Sequence, residues 1–453
     1  MGEMRASLGT MTARHAELSH MRSPYVRIQG TGCERVTLQL RHARILDAHR
    51  HSNLIVTLTA AEKKGGAWRV GHGFYEDLAV LTDLPSHIQR ILSSARPEDD
   101  PRHGFCETQS IPQKDLTGYD SVVARLSPAV IYHRAFAMVS ELIERELLID
   151  ADISWHHGGW RVDEKPCPFA YMDGRTCFLG PRTQVHEDIA IYYPERPQVR
   201  RHLSRTTWEL GTHKNLSAIA DALAQTRGLP LYAWSARNID RVLLMPRAAA
   251  QLMRAILPDF DLPAEAGRPR PEWRMHESLV LQSDPTNALF WDTDNSHLVL
   301  DARGHNAQPV SLIAQGHFDQ WPTSERNARL VGQTDGNHGH ALDEKGNSGP
   351  WFPILRAAQQ DDDSRALDSA EAYSQKLDGR VVCIEDLCVL RDGQNSGTVL
   401  MPYGGVLCRD GRCLGHIAPP KNGWPLDDLL NRASPVGSPV RIASMASCAL
   451  ALR

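Results

Sequence analysis

The feature that most constrains the fold is a change in the apolar pattern about half-way along the 453-residue chain. Up to about residue 235, stretches with helical spacing alternate with strand-like runs. From about residue 240 onward, short strand-like runs are separated by Gly, Asp and Asn. We therefore predict an α+β fold, with a flexible lead-in over 1–30, a mixed α/β N-terminal domain over 31–240 and a β-rich C-terminal domain over 241–453.

Local signals assign several individual elements. Residues 129–149 carry apolar side chains three and four positions apart, which predicts a helix. Residues 215–226 have the same spacing, and Asn215 is the expected N-cap. Asp-Gly pairs at 173–174 and 410–411 lie between strand-like runs. Since this dipeptide is typical of tight hairpin turns, each half of the chain is expected to contain a hairpin.

The composition excludes several classes of protein. The net charge of −4 and the pI near 6.6 favour neither nucleic acid nor an anionic membrane as a partner. The first residues lack the apolar core of a signal peptide, and no run reaches the ~18 apolar residues of a membrane helix. Nine cysteines, an odd number, argue against a disulfide framework. We expect a cytoplasmic protein.

A series of short segments in the second half resembles a known family. The segments are 241–253, 284–286, 301–304, 311–316, 377–382, 395–398, 405–413 and 425–437. In their order and spacing they resemble the TldD/PmbA family, once named as modulators of DNA gyrase. The resemblance implies that the C-terminal domain is barrel-like. The N-terminal half resembles the family only loosely.

The metal motif of that family is missing from this chain. Catalytic members carry His-Glu-x-x-x-His on a helix, with a Cys near the C-terminus, and two His five apart require that helix to end or distort. Here Arg254 and Ala255 occupy the positions of the first His and the Glu, and Asp259 occupies that of the second His. Because Arg has no free lone pair, we expect no metal ligand and no catalytic residue in this chain.

The resemblance is therefore to the TldE-like member of a pair. Family heterodimers combine a TldD-like, metal-bearing subunit with one that lacks the metal. We expect this chain to be the second kind, in a zinc metallopeptidase or amidase that hydrolyses small peptides or peptide-like intermediates, with zinc in the partner. Divergent actinobacterial pairs serve antibiotic pathways of the lincosamide type. Arg254, Asp259 and His276 are the candidates for the substrate channel or the interface.

Two alternatives remain open. The sequence is also compatible with a binding or regulatory protein without a hydrolytic partner, and with an independent enzyme. His338 and His340 with Asp343 and Glu344 offer metal ligands, but they lie in a Gly- and Asn-rich loop. His276-Glu277 begins like a zinc-protease motif, but no second His follows. Arg254 and Asp259 also fit a plain polar helix end.

The cysteines and one serine need separate consideration. Cys408 and Cys413 flank the hairpin turn and should face each other, most simply as reduced thiols. Cys383 and Cys388 repeat their spacing, so a zinc knuckle of four cysteines is conceivable. Cys448 is expected to be a buried residue of the last strand. Ser348 faintly resembles a serine-protease nucleophile, without supporting His and Asp.

Overall fold

The computed structural model describes most of the chain. The described stretches are 25–98, 125–165, 175–207, 214–262, 274–290, 307–328, 347–359, 369–391 and 398–452, apart from gaps of one to three residues within some of them, together with isolated residues such as His340. The Asp-Gly pair at 173–174 lies outside the described residues.

The first sheet consists of seven antiparallel strands. They are β1 (Tyr25–Arg41), β2 (Arg44–Lys64), β3 (Ala67–Tyr75), β4 (Arg96–Glu98), β5 (Leu148–Lys165), β6 (Arg175–Tyr193) and β7 (Arg196–Thr207). Their spatial order is β4-β3-β2-β1-β5-β6-β7. Strand β1 pairs with β2 and β5 from its first residues, so described strand structure begins at Tyr25. The lead-in predicted over 1–30 stays a prediction.

Three helices pack on this sheet, namely α1 (Leu84–Ser94), α2 (Pro128–Glu144) and α3 (Lys214–Thr226). Ser127 caps α2 by accepting from Val130 N, and Pro128 supplies the fixed φ of a first helical residue.

Two predicted helix limits need correction. The helix predicted over 129–149 ends at Glu144, because Glu146 has a left-handed φ of 58° and β5 then begins at Leu148. The apolar residues from Leu148 onward belong to β5, and their spacing alone does not distinguish a strand from a continued helix. Asn215 lies inside α3, which already begins at Lys214, so it is not the N-cap.

The second sheet consists of eleven strands from the rest of the chain. They are β8 (Leu231–Tyr232), β9 (Arg241–Leu244), β10 (Leu279–Ser283), β11 (Val310–Ala314), β12 (His317–Phe318), β13 (Pro353–Ala357), β14 (Arg380–Ile384), β17 (Gly405–Arg409), β18 (Arg412–Ile417), β20 (Ala433–Ile442) and β21 (Met445–Leu452). A three-stranded sheet contains β15 (Leu387–Arg391), β16 (Thr398–Pro402) and β19 (Trp424–Pro425).

The large sheet runs in the order β12-β11-β10-β13-β21-β9-β14-β17-β18-β8, with β20 paired to β21. Among the described strands, the hydrogen-bonded order begins at β12 and ends at β8. The mixed α+β class and the β-rich second half are confirmed. Strand β8 pairs with β18 of this sheet, although it precedes residue 241 in the chain. The domain limits stay a prediction.

The remaining helices in the described part of the chain are α4 (Pro246–Ile256), α5 (Ala370–Ser374) and α6 (Leu426–Arg432), with 3₁₀ turns at Leu257–Phe260 and Ala288–Phe290. All eight residues of β21 are buried, because this strand lies between β13 and β9 and contacts α4. The predicted hairpin at 410–411 is confirmed. Asp410 and Gly411 have φ values of 49° and 77°, as a two-residue hairpin turn requires.

Candidate functional site at the junction of the sheets

Helix α4 contains the residues that we expect, from the sequence resemblance, to correspond to the metal-bearing helix of the TldD/PmbA family. It begins with Pro246, and nearly all of its residues are buried, including three consecutive alanines that let it approach β21 closely. Its more accessible side chains, Arg247, Gln251 and Arg254, recur at four and three positions and therefore share one face. This polar face leads to the junction between the two sheets.

The end of α4 contains two of the predicted site residues. The α-helix ends at Ile256 and continues as the 3₁₀ turn Leu257–Phe260, so the backbone changes form between Arg254 and Asp259. Arg254 is exposed in the last helical turn, where a cation complements the helix dipole. Asp259 is half-buried, and Ala255 is buried. The site of the missing motif thus presents a guanidinium and a carboxylate in place of imidazoles.

His276, the third predicted residue, belongs to a different neighbourhood. Its Nδ1 lies 2.7 Å from Ser278 Oγ, and its backbone N–H donates to Leu430 O at 3.1 Å. The preceding Met275 N–H donates to Gly316 O at 2.9 Å. These contacts fix the start of β10. The bonds of His276 described here do not join it to Arg254 or Asp259, so its role in a channel or interface stays a prediction.

The polar face of α4 instead binds carboxylates from both sheets. Arg247 donates to Asp188 on β6 through Nη1 at 2.5 Å and Nη2 at 3.3 Å. Gln251 donates through Nε2 to Asp386, and its Oε1 accepts from Leu387 N at 2.6 Å. Arg247 Nε also lies 3.7 Å from Asp386 Oδ1. A single helix face therefore holds the first sheet against the loop between β14 and β15.

His202 lies in the middle of this junction. Its side chain is 5% exposed, and its Nε2 is 3.4 Å from Asp386 Oδ2. Neither ring nitrogen makes a hydrogen bond to the described residues. Burial, followed by the nearby charges of Arg247, Arg200 and Arg201, holds the pKa of His202 well below its ordinary value. His202 is therefore a neutral imidazole with unused donor and acceptor capacity.

The carboxyl next to it is perturbed in the opposite sense. Burial raises the pKa of Asp386, although Arg247 and the Gln251 amide favour its charged form. Because Asp386 is already engaged by these two groups, it provides little counter-charge for a protonated His202. The pair consists of a neutral imidazole and a buried carboxylate.

A cavity of about 660 Å³ opens beside this pair. It is bordered by residues of β7, α3, α4, α5 and β20. Arg201, which forms a buried ion pair with Glu385, lines the cavity with His202, Arg247 and Glu371. A space of this size with an imidazole and two paired guanidinium groups can accept a small polar molecule or an extended segment of peptide.

Sequence reasoning missed His202 and Asp386. They are far apart in the chain and come together only because β7 of the first sheet meets the β14–β15 connection of the second. No spacing rule relates them. The one available signal was the polar stripe of Arg247 and Gln251 on an otherwise apolar helix.

The other candidates are structural where they can be described. His340 is fully buried, with Nδ1 3.4 Å from Ser283 Oγ and Nε2 2.8 Å from Gln308 O. His338, Asp343 and Glu344 lie outside the described residues. Ser348 is fully buried and accepts from Asn327 Nδ2 at 3.1 Å, so it does not present a nucleophile.

Cys448 has the predicted place in the last strand. It is fully buried in β21, and burial raises the pKa of its thiol to about 12. A thiol in this environment is inert at neutral pH. The expectation that Cys448 is a buried small residue of the last strand is confirmed.

Comparisons with known proteins give a consistent result for the fold. The chain is similar to the crystal structure of TldE from Thermococcus kodakarensis, with a TM-score of 0.67 and 12% identity over 99% of this chain and 98% of that one. The chain has the fold of TldE. No protein-family model matches it, and no curated protein is similar enough in sequence to count as a relative.

Two further structures share the TldE fold with this chain. One is a proposed modulator of a DNA gyrase from Thermotoga maritima, with a TM-score of 0.66, 13% identity and 98% of both chains covered. The other is a proposed modulator of DNA gyrase from Bacteroides thetaiotaomicron, with a TM-score of 0.61, 12% identity, and 99% and 97% covered. At this identity the likeness concerns the fold, and the resemblance read from the segment order is confirmed at that level.

Among the described residues, none of the helices has the length and apolar character needed to cross a lipid bilayer.

Proposed function

We propose that this chain is the subunit without hydrolytic metal in a heterodimeric zinc peptidase or amidase. The observation that carries the proposal is the lack of metal-binding histidines on α4, in a chain that has the TldE fold over nearly its whole length. Where a hydrolytic helix needs two imidazoles and a general base, this one has Arg254, Ala255 and Asp259. The partner would be TldD-like and would supply the zinc, its ligands and the base.

An exposed apolar surface also supports a partner. On α2, Tyr132 and Phe136 are one helical turn apart and are 49% and 68% exposed. Large aromatic side chains at such exposure are typical of surfaces that another chain covers. We include α2 among the surfaces that the partner is expected to touch.

The substrate class follows from the same reasoning. The pair would enclose a channel for small peptides or extended peptide-like molecules, in which this chain supplies wall and selectivity. A role in an antibiotic pathway of the lincosamide type, where an amide of a thiol-derived conjugate is trimmed, is the more specialised form of this proposal. Hydrolysis of such a conjugate compared with that of an unstructured peptide would distinguish the two.

The test is co-expression of this chain with a TldD-like protein that contains His-Glu-x-x-x-His, preferably one encoded beside it. We expect a one-to-one complex that cleaves peptides, whereas this chain alone does not. Replacing both motif histidines of the partner should abolish cleavage but leave the two subunits associated. Hydrolysis by this chain alone, or the absence of any complex, would contradict the proposal. The second outcome would favour the alternative, a binding or regulatory protein.

A further inference from the structure

A second cluster of metal-ligating side chains lies away from the end of α4. The ligand atoms of Glu371, Cys408 and Cys413 all lie within 4.8 Å of one another. Cys408 is fully buried, and the other two are half-buried. Glu371 also lines the cavity at the junction of the sheets.

The β17–β18 hairpin brings the two thiols together. Cys408 and Cys413 are partners in its register, one pair away from the Asp410–Gly411 turn. Side chains of directly opposed residues on an antiparallel pair lie on the same face, so the two sulfur atoms project together. This arrangement is fixed by the local sequence of the hairpin.

Helix α5 adds the carboxylate. Ser369 caps the helix by accepting from Ala372 N at 3.2 Å, and Glu371 lies in the first turn. Gly411 N donates to Ser374 Oγ at 3.1 Å, which ties the end of α5 to the hairpin turn. The fully buried Tyr373 anchors the helix between these bonds. The position of Glu371 over the two thiols is thus set by packing and not by a mobile side chain alone.

A third thiol lies on the neighbouring strand. In the β14–β17 register, Cys383 is opposite Val406 and Val381 is opposite Cys408, so Cys383 and Cys408 share a face and pack in one apolar cluster. A hydrogen bond between the two thiols contributes to a raised pKa of Cys408. Cys388, in contrast, belongs to the separate three-stranded sheet.

The charges around the cluster favour a metal cation that is bound by deprotonated thiols. Glu371 is an acidic residue and a thiol loses its proton when it binds a metal ion, so the ligands Glu371, Cys408 and Cys413 would repel one another without a cation between them. The charges of Glu385, then of Glu371 and Cys413, raise the pKa of Arg201, which places a fixed positive charge beside the cluster. A divalent cation would remove the mutual repulsion of the anionic ligands, and Arg201 would offset their remaining charge.

We propose that Glu371, Cys408 and Cys413, with Cys383 as fourth ligand, form a structural zinc site. Thiolate sulfur with one carboxylate oxygen is a ligand set that zinc accepts in a tetrahedral arrangement, with Zn–S bonds of about 2.3 Å. Such bonds place neighbouring sulfur atoms about 3.8 Å apart, so the separations among Glu371, Cys408 and Cys413 need to shorten by no more than about 1 Å. Cys383 lies outside that group and has to move further to complete the site. On binding, the three thiols lose their protons to solvent and each donates a lone pair to the ion.

The site differs from the hydrolytic site in position and purpose. Its ligands come from α5, β14 and the β17–β18 hairpin, whereas the residues of the missing motif lie on α4. With four protein ligands it has no open position for a reacting water. Zinc in this chain without peptide cleavage would therefore leave the proposed function intact.

The experiment uses the full chain, purified under reducing conditions and treated with a chelator. Titration with Co²⁺ should give one equivalent of bound ion with a thiolate-to-cobalt charge-transfer band, which Zn²⁺ then displaces. We expect Cys413→Ser and Cys408→Ser to lose the band and to weaken Zn²⁺ binding at least about tenfold. Cys383→Ser and Glu371→Gln should weaken it less. Cys388→Ser is the matched control and should bind as the wild type does.

Three results would overturn the proposal. The first is a folded wild-type chain, as judged by circular dichroism, that gives no charge-transfer band. The second is undiminished binding in Cys413→Ser, whose position at the hairpin end makes this variant the safer one for folding. The third is a Cys408–Cys413 disulfide, found by mass spectrometry after alkylation, in the chain as isolated from the cytoplasm of the expression host.

Discussion

Arg247 in the first turn of α4 and Asp188 on β6 form a bidentate ion pair that joins the two sheets, with Nη1–Oδ1 and Nη2–Oδ2 distances of 2.5 and 3.3 Å. Arg247 is 17% exposed and Asp188 32% exposed, so water screens this pair only in part. The same guanidinium lies beside Asp386 and His202. This contact therefore connects the orientation of α4 to the charge state of the junction.

Removing this pair should destabilise the fold measurably. We expect Arg247→Met and Asp188→Asn each to lower the free energy of unfolding, with a coupling between them of about 1–2 kcal/mol in a double-mutant cycle. Urea unfolding followed by circular dichroism measures it. The exposed pair Arg227–Glu195, at 3.1 Å, is the matched control, and its coupling should be smaller because solvent screens both charges. Equal couplings for the two cycles would show that burial at the junction contributes nothing.

The lowered pKa of His202 predicts an acid-sensitive fold. The imidazole is neutral in the folded chain, whereas in the unfolded chain it binds a proton below its ordinary pKa of about 6.5. The stability contribution is therefore present above that pH and is lost as the pH falls, at up to about 1.4 kcal/mol per pH unit for one proton. Burial of Asp386 raises its pKa and therefore acts in the opposite sense.

The measurement is the free energy of unfolding between about pH 5.5 and 7.5. His202→Gln should make the dependence shallower by the contribution of one proton, even where it lowers stability at neutral pH. The same substitution at His133, which is exposed on α2, is the control. An unchanged slope in His202→Gln would mean that another group is responsible.

Gly316 is a position where a side chain should not be tolerated. It has a φ of 78°, and an added Cβ would lie 2.3 Å from Met275 O. Gly316→Ala should therefore lower the free energy of unfolding by about 1–3 kcal/mol, since strain and contact both oppose it. Gly228→Ala is the control, because no atom lies within 4 Å of an added Cβ there. Thermal unfolding of both variants would check this, and equal melting temperatures would refute it.

Arg254 should matter for the partner and not for the fold. Its side chain is exposed at the end of α4, so Arg254→Glu should lower the free energy of unfolding by no more than about 1 kcal/mol, through the reversed interaction with the helix dipole. If the partner covers this helix end, the reversed charge should weaken the complex about tenfold or more. Arg90→Glu, at an exposed position of α1, is the matched control. Equal affinities of both variants, measured by titration with the TldD-like chain, would remove Arg254 from the interface.

Much of the secondary structure was predictable because its signals are local. The two-residue turn at Asp410–Gly411 sets its own φ values, and with them the pairing of Cys408 with Cys413. The change of α4 into a 3₁₀ turn near Asp259 agrees with the helix end that the resemblance led us to expect there. The ends of α2 and α3 were harder to predict from the sequence. The apolar residues from Leu148 onward are compatible with a helix or with a strand. They form β5 because they pair with β6.

The sequence by itself determined the α+β class, the order of segments that led to the TldE fold, and the lack of imidazoles on α4. All of these are properties of residue type and spacing along one stretch of chain. Only the tertiary structure brought His202 to Asp386, Arg247 to Asp188, and Glu371 and Cys383 to the hairpin thiols. Those groups come from elements far apart in the chain, and their distances are set by how sheets and helices pack, which no local pattern encodes.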